Sequence, residues 1–493
     1  MVRVGGYGPV GEGGAMVRNH LVYVLPGIGG SVLERPGGGG TQPEVAWDAG
    51  FGDIAGLLLR PRRLAADEPL RATGLIRSKR LLPGWSVVPG YERLVANLQA
   101  LPGAVIDTGH PERRDPHANV VLFPYDFRLG VRHAAKLLAA DAHSRLKDLA
   151  PSERAGRVVV VAHSMGGLVA RYWLGPLEGW PLCRALITLG TPHRGAPKAL
   201  QLLANGVRVA GIRMDGVSDL LGQWPSVAEL LPRYPMVWDT TAGASLYPHE
   251  VPLEHVRLPA KQGFALHEEI EQAWQAMPRS GAEPQVVPRL GWSHRTVGSA
   301  VWDGRALKAS KKLPGWLELA GWGEDHGDGT VPAISAVPVE MDGHDTSGWR
   351  ARDRHGPIVS ADWIPGLVQV YEERQRLTAA RGEEREAALG LDMDELHAHG
   401  ATIPLQVRLR GDRLPPEATT GAAGLAVWAT LRPVHGPRSA AAEVRLEWDG
   451  DEGGYVTQLP GPEPGLYDVR VSVRAVPGVG DLSASDSLAV VAP

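Results

Sequence analysis

A single cysteine, Cys183, occurs in the 493-residue chain, so no intrachain disulfide can form. A chain of this size without disulfides suits a reducing compartment. Cys183 itself, in PLCRALITL ahead of a strand pattern, reads as a small buried hydrophobe. No apolar run approaches the ~18 residues of a membrane-crossing helix, so none is expected. The glycine-rich opening MVRVGGYGPVGEGGAMVRN lacks the apolar segment of a secretory leader, and a cytoplasmic location is expected. An excess of charge of one sign is missing too. The net charge is −4, which excludes a global pull toward nucleic acid. Histidines and acids do not fall at zinc spacing, and calcium-loop patterns are absent, so no metal or cofactor is expected. There is no internal repeat.

What remains is a globular composition, 43% hydrophobic and 22% charged, too long for one ordinary core. Through the first 200 residues the patterns alternate. HLVYVL at 20–25, NVVLF at 119–123, VVVVA at 158–162 and ALITL at 185–189 read as buried strands. VRHAAKLLAADAHSRLKDL and LVARYWL between them have helical spacing. That alternation predicts a mostly parallel sheet flanked by helices. The interval 196–295, rich in tryptophan and proline with no clean strand before RTVGSAVW, reads as a cap over a site. Residues 361–398 look helical and include the charged stretch RQRLTAARGEERE. Beyond a linker near His399–Thr402 the runs become short and alternating. Residues 401–493 read as an immunoglobulin-like β-sandwich of six or seven strands.

The chemistry centres on VVVVAHSMGGLVARYWL. A buried strand runs into a serine ringed by small residues, and a helix pattern starts at once. AHSMG is a close variant of the G-x-S-x-G nucleophile elbow, with Ala162 at the first glycine position, and strand–turn–helix is the context that motif needs. A serine hydroxyl requires a histidine base, and the histidine a carboxylate that sets its tautomer. In hydrolases built on this elbow the order is Ser, Asp or Glu, then His. Downstream of Ser164 the favoured acid is Asp328, in the tight turn GDGTVP, with Asp303 and Asp325 as alternatives. The favoured base is His355, on a loop before a new apolar segment, with His344 as the alternative. His326 lies too close to Asp328 to come from a separate loop. His163 is expected to point away from the serine, and His163 and His193 to be structural. Two backbone N–H donors must face the developing oxyanion. Met165, after the nucleophile, and Ile28, in PGIGG after the first strand, are the expected donors.

Together PGIGGSVLE, PYDFR, AHSMGG, TLGTPHRG, GDGTVP and the late His355 resemble the lecithin:cholesterol acyltransferase family of α/β-hydrolases, over about residues 20–375. The resemblance implies an α/β-hydrolase domain over 20–398, after a flexible segment 1–19, with a lid near 45–85 and the cap at 196–295 covering acyl chains. It implies a Ser–Asp–His enzyme at Ser164, Asp328 and His355 that cleaves lipid acyl esters, phospholipid first among them, through an acyl-serine, with water or a hydroxyl as acceptor. Asp126 and Arg128 of PYDFR, where the family has PYDWR, would form a structural pair. Disulfides of the secreted animal members have no counterpart here, and sterol specificity is not carried over. Independently, residues 60–80 hold seven basic and two acidic residues among leucines, a pattern suited to peripheral contact with an anionic membrane. The β-domain is expected to be an interaction module, for a protein partner among others, or a spacer. A soluble esterase for small esters, and a non-catalytic scaffold working through the β-domain, are the other readings.

Overall fold

The computed structural model describes residues 20–491 apart from 38–41, 49–59, 83–85, 210–211, 279, 314–326, 345, 373–386, 412–413, 422 and 435–441. The segment 1–19, the candidates Asp325 and His326, and the stretch RQRLTAARGEERE lie outside the described residues.

Seven strands form the central sheet: β1 (Leu21–Leu25), β2 (Ile106–Asp107), β3 (Val120–Leu122), β4 (Val158–His163), β5 (Cys183–Leu189), β6 (Gln285–Gly291) and β7 (Arg350–Ala351). Their spatial order is β7-β6-β5-β4-β1-β3-β2, and every pairing is parallel. Parallel sheets are covered on both faces, which is why β1 and β4 are apolar runs without alternation and buried throughout. Cys183 is buried at the start of β5, and burial pushes its thiol well above the usual range. Helix α1 (Val131–Leu146) turns Val131, Ala134, Ala135, Leu138, Ala142 and Leu146 inward at helical spacing, and α2 (Met165–Leu174) is buried along its whole length. From β1 the chain proceeds to the β3 side of the sheet, and from β4 to the β5 side. The carboxyl ends of β1 and β4 therefore flank the crevice where open α/β sheets place their sites.

Three strands of this sheet, β2, β6 and β7, were not among the four expected. Within the interval read as a cap, QVVPRLG forms β6 and pairs with β5, Pro288 opposite Thr188. Proline argues against a central strand because it cannot donate to a ladder. Here β7 pairs with β6 only at Leu290 and Gly291, so the outer edge beside Pro288 has no ladder to break. The rest of that interval is mixed. It holds α3 (Pro197–Asn205), α4 (Glu254–Ala276) and the strands Val237–Asp239 and Ala244–Leu246, which join Ser299–Trp302 and Leu307–Ser310 beyond the interval in a four-stranded sheet.

The described parts of the expected lid region are tied down. Arg71–Leu75 pairs antiparallel with Ser31–Arg35. Trp224 Nε1 donates to the carbonyl of Leu64 at 3.0 Å, and Leu64 is buried.

The C-terminal unit is built mainly of β-strands, with a short helix at Pro416–Thr419. Its strands are β8 (Ala388–Asp392), β9 (Leu396–Ala398), β10 (Ile403–Arg410), β11 (Val427–Pro433), β12 (Ala442–Asp449), β13 (Gly454–Leu459), β14 (Gly465–Val476) and β15 (Gly480–Val491), in the order β8-β10-β13-β12-β11-β14-β15-β9. Ala442–Leu446 of β12 pairs with β11 and Glu447–Asp449 with β13, so one strand joins the two halves of the sheet. These halves enclose a core with Leu405, Val407, Val427, Val469 and Val471. Six of these strands lie within 401–493, where six or seven were expected, and β8 and β9 precede that span in the same sheet. The helical reading of 361–398 is corrected: among the described residues only Ile364–Glu372 is an α-helix, and Ala388–Asp392 and Leu396–Ala398 are the strands β8 and β9. ALGL in β8 is a short apolar run buried on both sides, which periodicity alone cannot tell from a helix turn.

The two units touch. Val87 packs with Ala398, Leu466, Ala489 and Val491, and Lys79 Nζ donates to Asp468 Oδ1 at 2.6 Å and Ser487 Oγ at 2.8 Å. Among the described residues no helix is long and apolar enough to cross a membrane.

Candidate active site

Ser164 sits between β4 and α2 with φ 51° and ψ −125°, a left-handed conformation rare for a residue with a side chain. Such strain persists where surrounding structure over-determines it. Ala162, at the motif's first glycine position, lies in β4 between Leu25 and Thr188, where a methyl group is accommodated. Gly27, after β1, comes so close that a methyl on it would lie 2.9 Å from Ser164 Cβ. This brings the PGIGG loop against the serine.

His355 Nε2 is 3.0 Å from Ser164 Oγ, and His355 Nδ1 is 2.7 Å from Asp328 Oδ2. All three side chains are buried. Asp328 Oδ1 accepts backbone N–H groups from Thr330 at 2.9 Å and Val331 at 2.6 Å, which orients the carboxylate. Burial by itself would raise the Asp328 pKa, but His355 and these donors outweigh it and hold the carboxyl below its usual range. An ionised Asp328 accepts the Nδ1 proton of His355. That leaves Nε2 free to accept from the serine hydroxyl, the tautomer a general base requires. The backbone joins the same two loops, since His355 N–H donates to the Asp328 carbonyl at 3.0 Å.

His163 does more than turn away from the serine. Its Nε2 lies 3.0 Å from the carbonyl of His355, and its Nδ1 is 2.8 Å from Tyr91 Oη. Tyr91 Oη in turn accepts the N–H of Gly27 at 2.9 Å. Burial, and then the neighbouring His355, push the His163 pKa down to about 3, so the ring is neutral. A neutral ring with its proton on Nε2 satisfies every group in this chain: Gly27 N–H to Tyr91, Tyr91 O–H to Nδ1, Nε2–H to the His355 carbonyl. Tyr91 was missed in the sequence because it stands one residue before a short amphipathic helix, Glu92–Gln99, with no motif around it.

Of the expected oxyanion donors, Met165 opens α2 and Ile28 lies in the loop after β1; both are buried. Met165 N–H belongs to the positive end of the helix. The remaining candidates are elsewhere. Asp303 follows Ser299–Trp302 and pairs with Lys308 at 2.9 Å. His344 is exposed, with Nδ1 2.9 Å from the Met341 carbonyl. His193 is buried against Thr188 Oγ1, 3.3 Å away. Asp126 and Arg128 form a buried pair at 2.6 Å, and Arg128 Nη2 also donates to the Glu68 carbonyl at 2.9 Å. PYDFR thus holds the 65–68 segment. Among the described residues no group of three or more His, Cys, Asp or Glu is placed to hold a metal ion.

No curated protein matches the chain in sequence. Solved structures with a similar fold include three examples. The Tle4–Tli4 complex is 15% identical with a TM-score of 0.49, over 73% of this chain and 100% of that one. Bacillus licheniformis lipase BlEst2 in its propeptide form is 12% identical with a TM-score of 0.31, over 75% and 86%. The lin2722 product of Listeria innocua is 10% identical with a TM-score of 0.29, over 73% and 97%. At these identities the likeness concerns the fold alone. The model of the lecithin:cholesterol acyltransferase family matches residues 114–262, from the loop before β3 into α4, and the resemblance read from the motifs is borne out over that segment.

Proposed function

We propose that the protein is a serine hydrolase or O-acyltransferase that cleaves lipid acyl esters, phospholipids first among them. The observation that carries this reading is the hydrogen-bonded series Ser164–His355–Asp328, with Ser164 held at a left-handed elbow. The family match over residues 114–262 supports the acyl-ester class.

In this reading Ser164 Oγ attacks the ester carbonyl while His355 Nε2 takes its proton. Asp328 stabilises the imidazolium, and the N–H groups of Met165 and Ile28 receive the oxyanion. Collapse of the tetrahedral species passes the proton to the leaving alkoxide and leaves an acyl-serine. Water or another hydroxyl then attacks that acyl group, with His355 again as base, and Ser164 is regenerated. The exposed Arg60, Arg62, Arg71 and Arg77 support approach to an anionic lipid surface.

The test is a mass-spectrometric lipid assay. Wild type and Ser164→Ala are incubated with zwitterionic or anionic phospholipid vesicles and a panel of alcohols. Serine-dependent lysophospholipid with free fatty acid is expected from a phospholipase, and a new ester from an acyltransferase. Faster turnover on the anionic vesicles supports the basic surface. Hydrolysis of short soluble esters alone would replace the lipid reading, and full activity in Ser164→Ala would remove the mechanism.

A further inference from the structure

The β-domain meets the first unit at the two loops that carry Asp328 and His355. Arg354, the residue before His355, is buried, and its guanidinium reaches across the junction. Its Nη1 donates to the Leu391 carbonyl of β8 at 3.0 Å. Its Nε lies 2.6 Å from Asp486 Oδ2 of β15, and its Nη2 lies 4.0 Å from Glu395 Oε1. Glu395 is itself anchored on the first unit, where its Oε2 accepts the N–H of Val87 at 3.0 Å and faces Lys198 at 3.7 Å. The same guanidinium fills the space over the turn that follows Asp328. A methyl on Gly329, whose φ is +90°, would lie 2.5 Å from Arg354 Nη2.

A second contact reaches Asp328 from the other side. His294 N–H donates to the Gly327 carbonyl at 3.2 Å, and His294 forms a one-residue parallel bridge with Asp328. The His294 ring receives the Leu391 N–H at Nδ1, 3.2 Å away, and its Nε2 lies 2.9 Å from the Arg352 carbonyl. Leu391 of the β-domain therefore offers its carbonyl to Arg354 and its N–H to His294. Close packing fixes this register, because a methyl on Gly390 would run into the Ser293 carbonyl oxygen.

We propose that the β-domain is a working part of the active centre, and that Arg354, held by Leu391, Asp486 and Glu395, is the positioning residue that keeps Asp328 and His355 in line with Ser164. The proposal rests on the Ser164–His355–Asp328 reading above. A buried pair of this kind contributes little net stability over an apolar pair of the same shape, whereas a guanidinium hydrogen-bonded to the Leu391 carbonyl and ion-paired with Asp486 and Glu395 favours one orientation.

Steady-state turnover of a short-chain ester tests this, expressed per serine titrated with an organophosphonate so that unfolded molecules are not counted. Arg354→Lys keeps the charge but loses the fork, and Asp486→Asn keeps the shape but loses the charge. Each is expected to lower kcat per titrated serine by about 10–100-fold, with KM within about threefold, since misplacement on the order of 1 Å costs about 100-fold. Arg445→Ala removes an exposed ion pair with Glu447 within the β-domain and is expected to leave kcat per titrated serine at the wild-type value. Where Asp486→Asn does not fold, the apolar exchange Arg354→Met with Asp486→Leu takes its place, with the same fall expected. Wild-type kcat per titrated serine in Arg354→Lys and in a folded Asp486 variant would overturn the positioning role. Ser164→Ala separates the two ideas. If it is inactive while the junction variants are fully active, only the role of the β-domain falls; if it is active, the triad reading falls first.

Discussion

Tyr91 and His163 share a hydrogen bond, Oη to Nδ1 at 2.8 Å, and through it the loop after β1 is fastened to the loop that bears His355. One phenol oxygen serves the Gly27 N–H and the His163 ring at once. Tyr91→Phe leaves both partners buried and unmet, at a cost of about 1–3 kcal/mol. It also frees the two loops to shift relative to Ser164. Urea unfolding is expected to show that loss, and ester hydrolysis a fall in kcat of about tenfold or more with KM little changed.

Asp328→Asn is expected to cost far more activity than stability. Its amide oxygen can still accept the Thr330 and Val331 N–H groups, but the amide nitrogen then faces His355 and reverses the tautomer. A fall in kcat of about 10⁴ is expected. Circular dichroism at wild-type values together with that fall is the diagnostic pair of measurements.

Arg128→Met tests the fastening of the 65–68 segment. The Asp126–Arg128 pair is buried, with side-chain exposures of 7% and 0%, so removing one partner leaves a buried charge uncompensated. About 3–5 kcal/mol of stability should be lost. Limited trypsinolysis should cut the variant faster at Arg62 and Arg63, because Arg128 Nη2 no longer holds the Glu68 carbonyl.

Acid should destabilise the protein well before its exposed carboxylates titrate. Burial holds His163 and His294 at about 3, His267 at about 4, and His193 well below its ordinary value. The unfolded chain binds a proton at each near pH 6.5, while the folded chain refuses it. Their stabilisation is therefore complete above that pH and is lost as pH falls toward the folded values, about 2 kcal/mol for each ring by pH 5. Three buried carboxyls act in the opposite sense. Burial raises Glu229 to about 7, Asp486 to about 6 and Glu271 above its ordinary value, so each takes up its proton in the folded state first and adds stability as pH falls. Four rings against three carboxyls leave a net loss between pH 7.5 and 5. Urea titrations at the two pH values measure it, and equal midpoints would contradict the assignment of four neutral buried rings.

The sequence by itself determined the features that local periodicity and turn chemistry encode. The β-branched valine run reads as a strand covered on both faces, and AHSMG as a tight turn presenting Ser164. Chain order after that turn favoured Asp328 and His355, and His355 lies between Asp328 and the serine in space. Tertiary structure decided what depends on distant partners. Pro288 fits a core strand only because β7 leaves its outer edge open, and Ala388–Asp392 is a strand only because β10 lies beside it. Tyr91, Arg354 and Asp486 carry no motif, since a hydrogen bond or ion pair between residues far apart in the chain leaves no periodic trace along it. Short-range order specifies which residues are presented at the crevice, and long-range packing specifies how firmly they are held there.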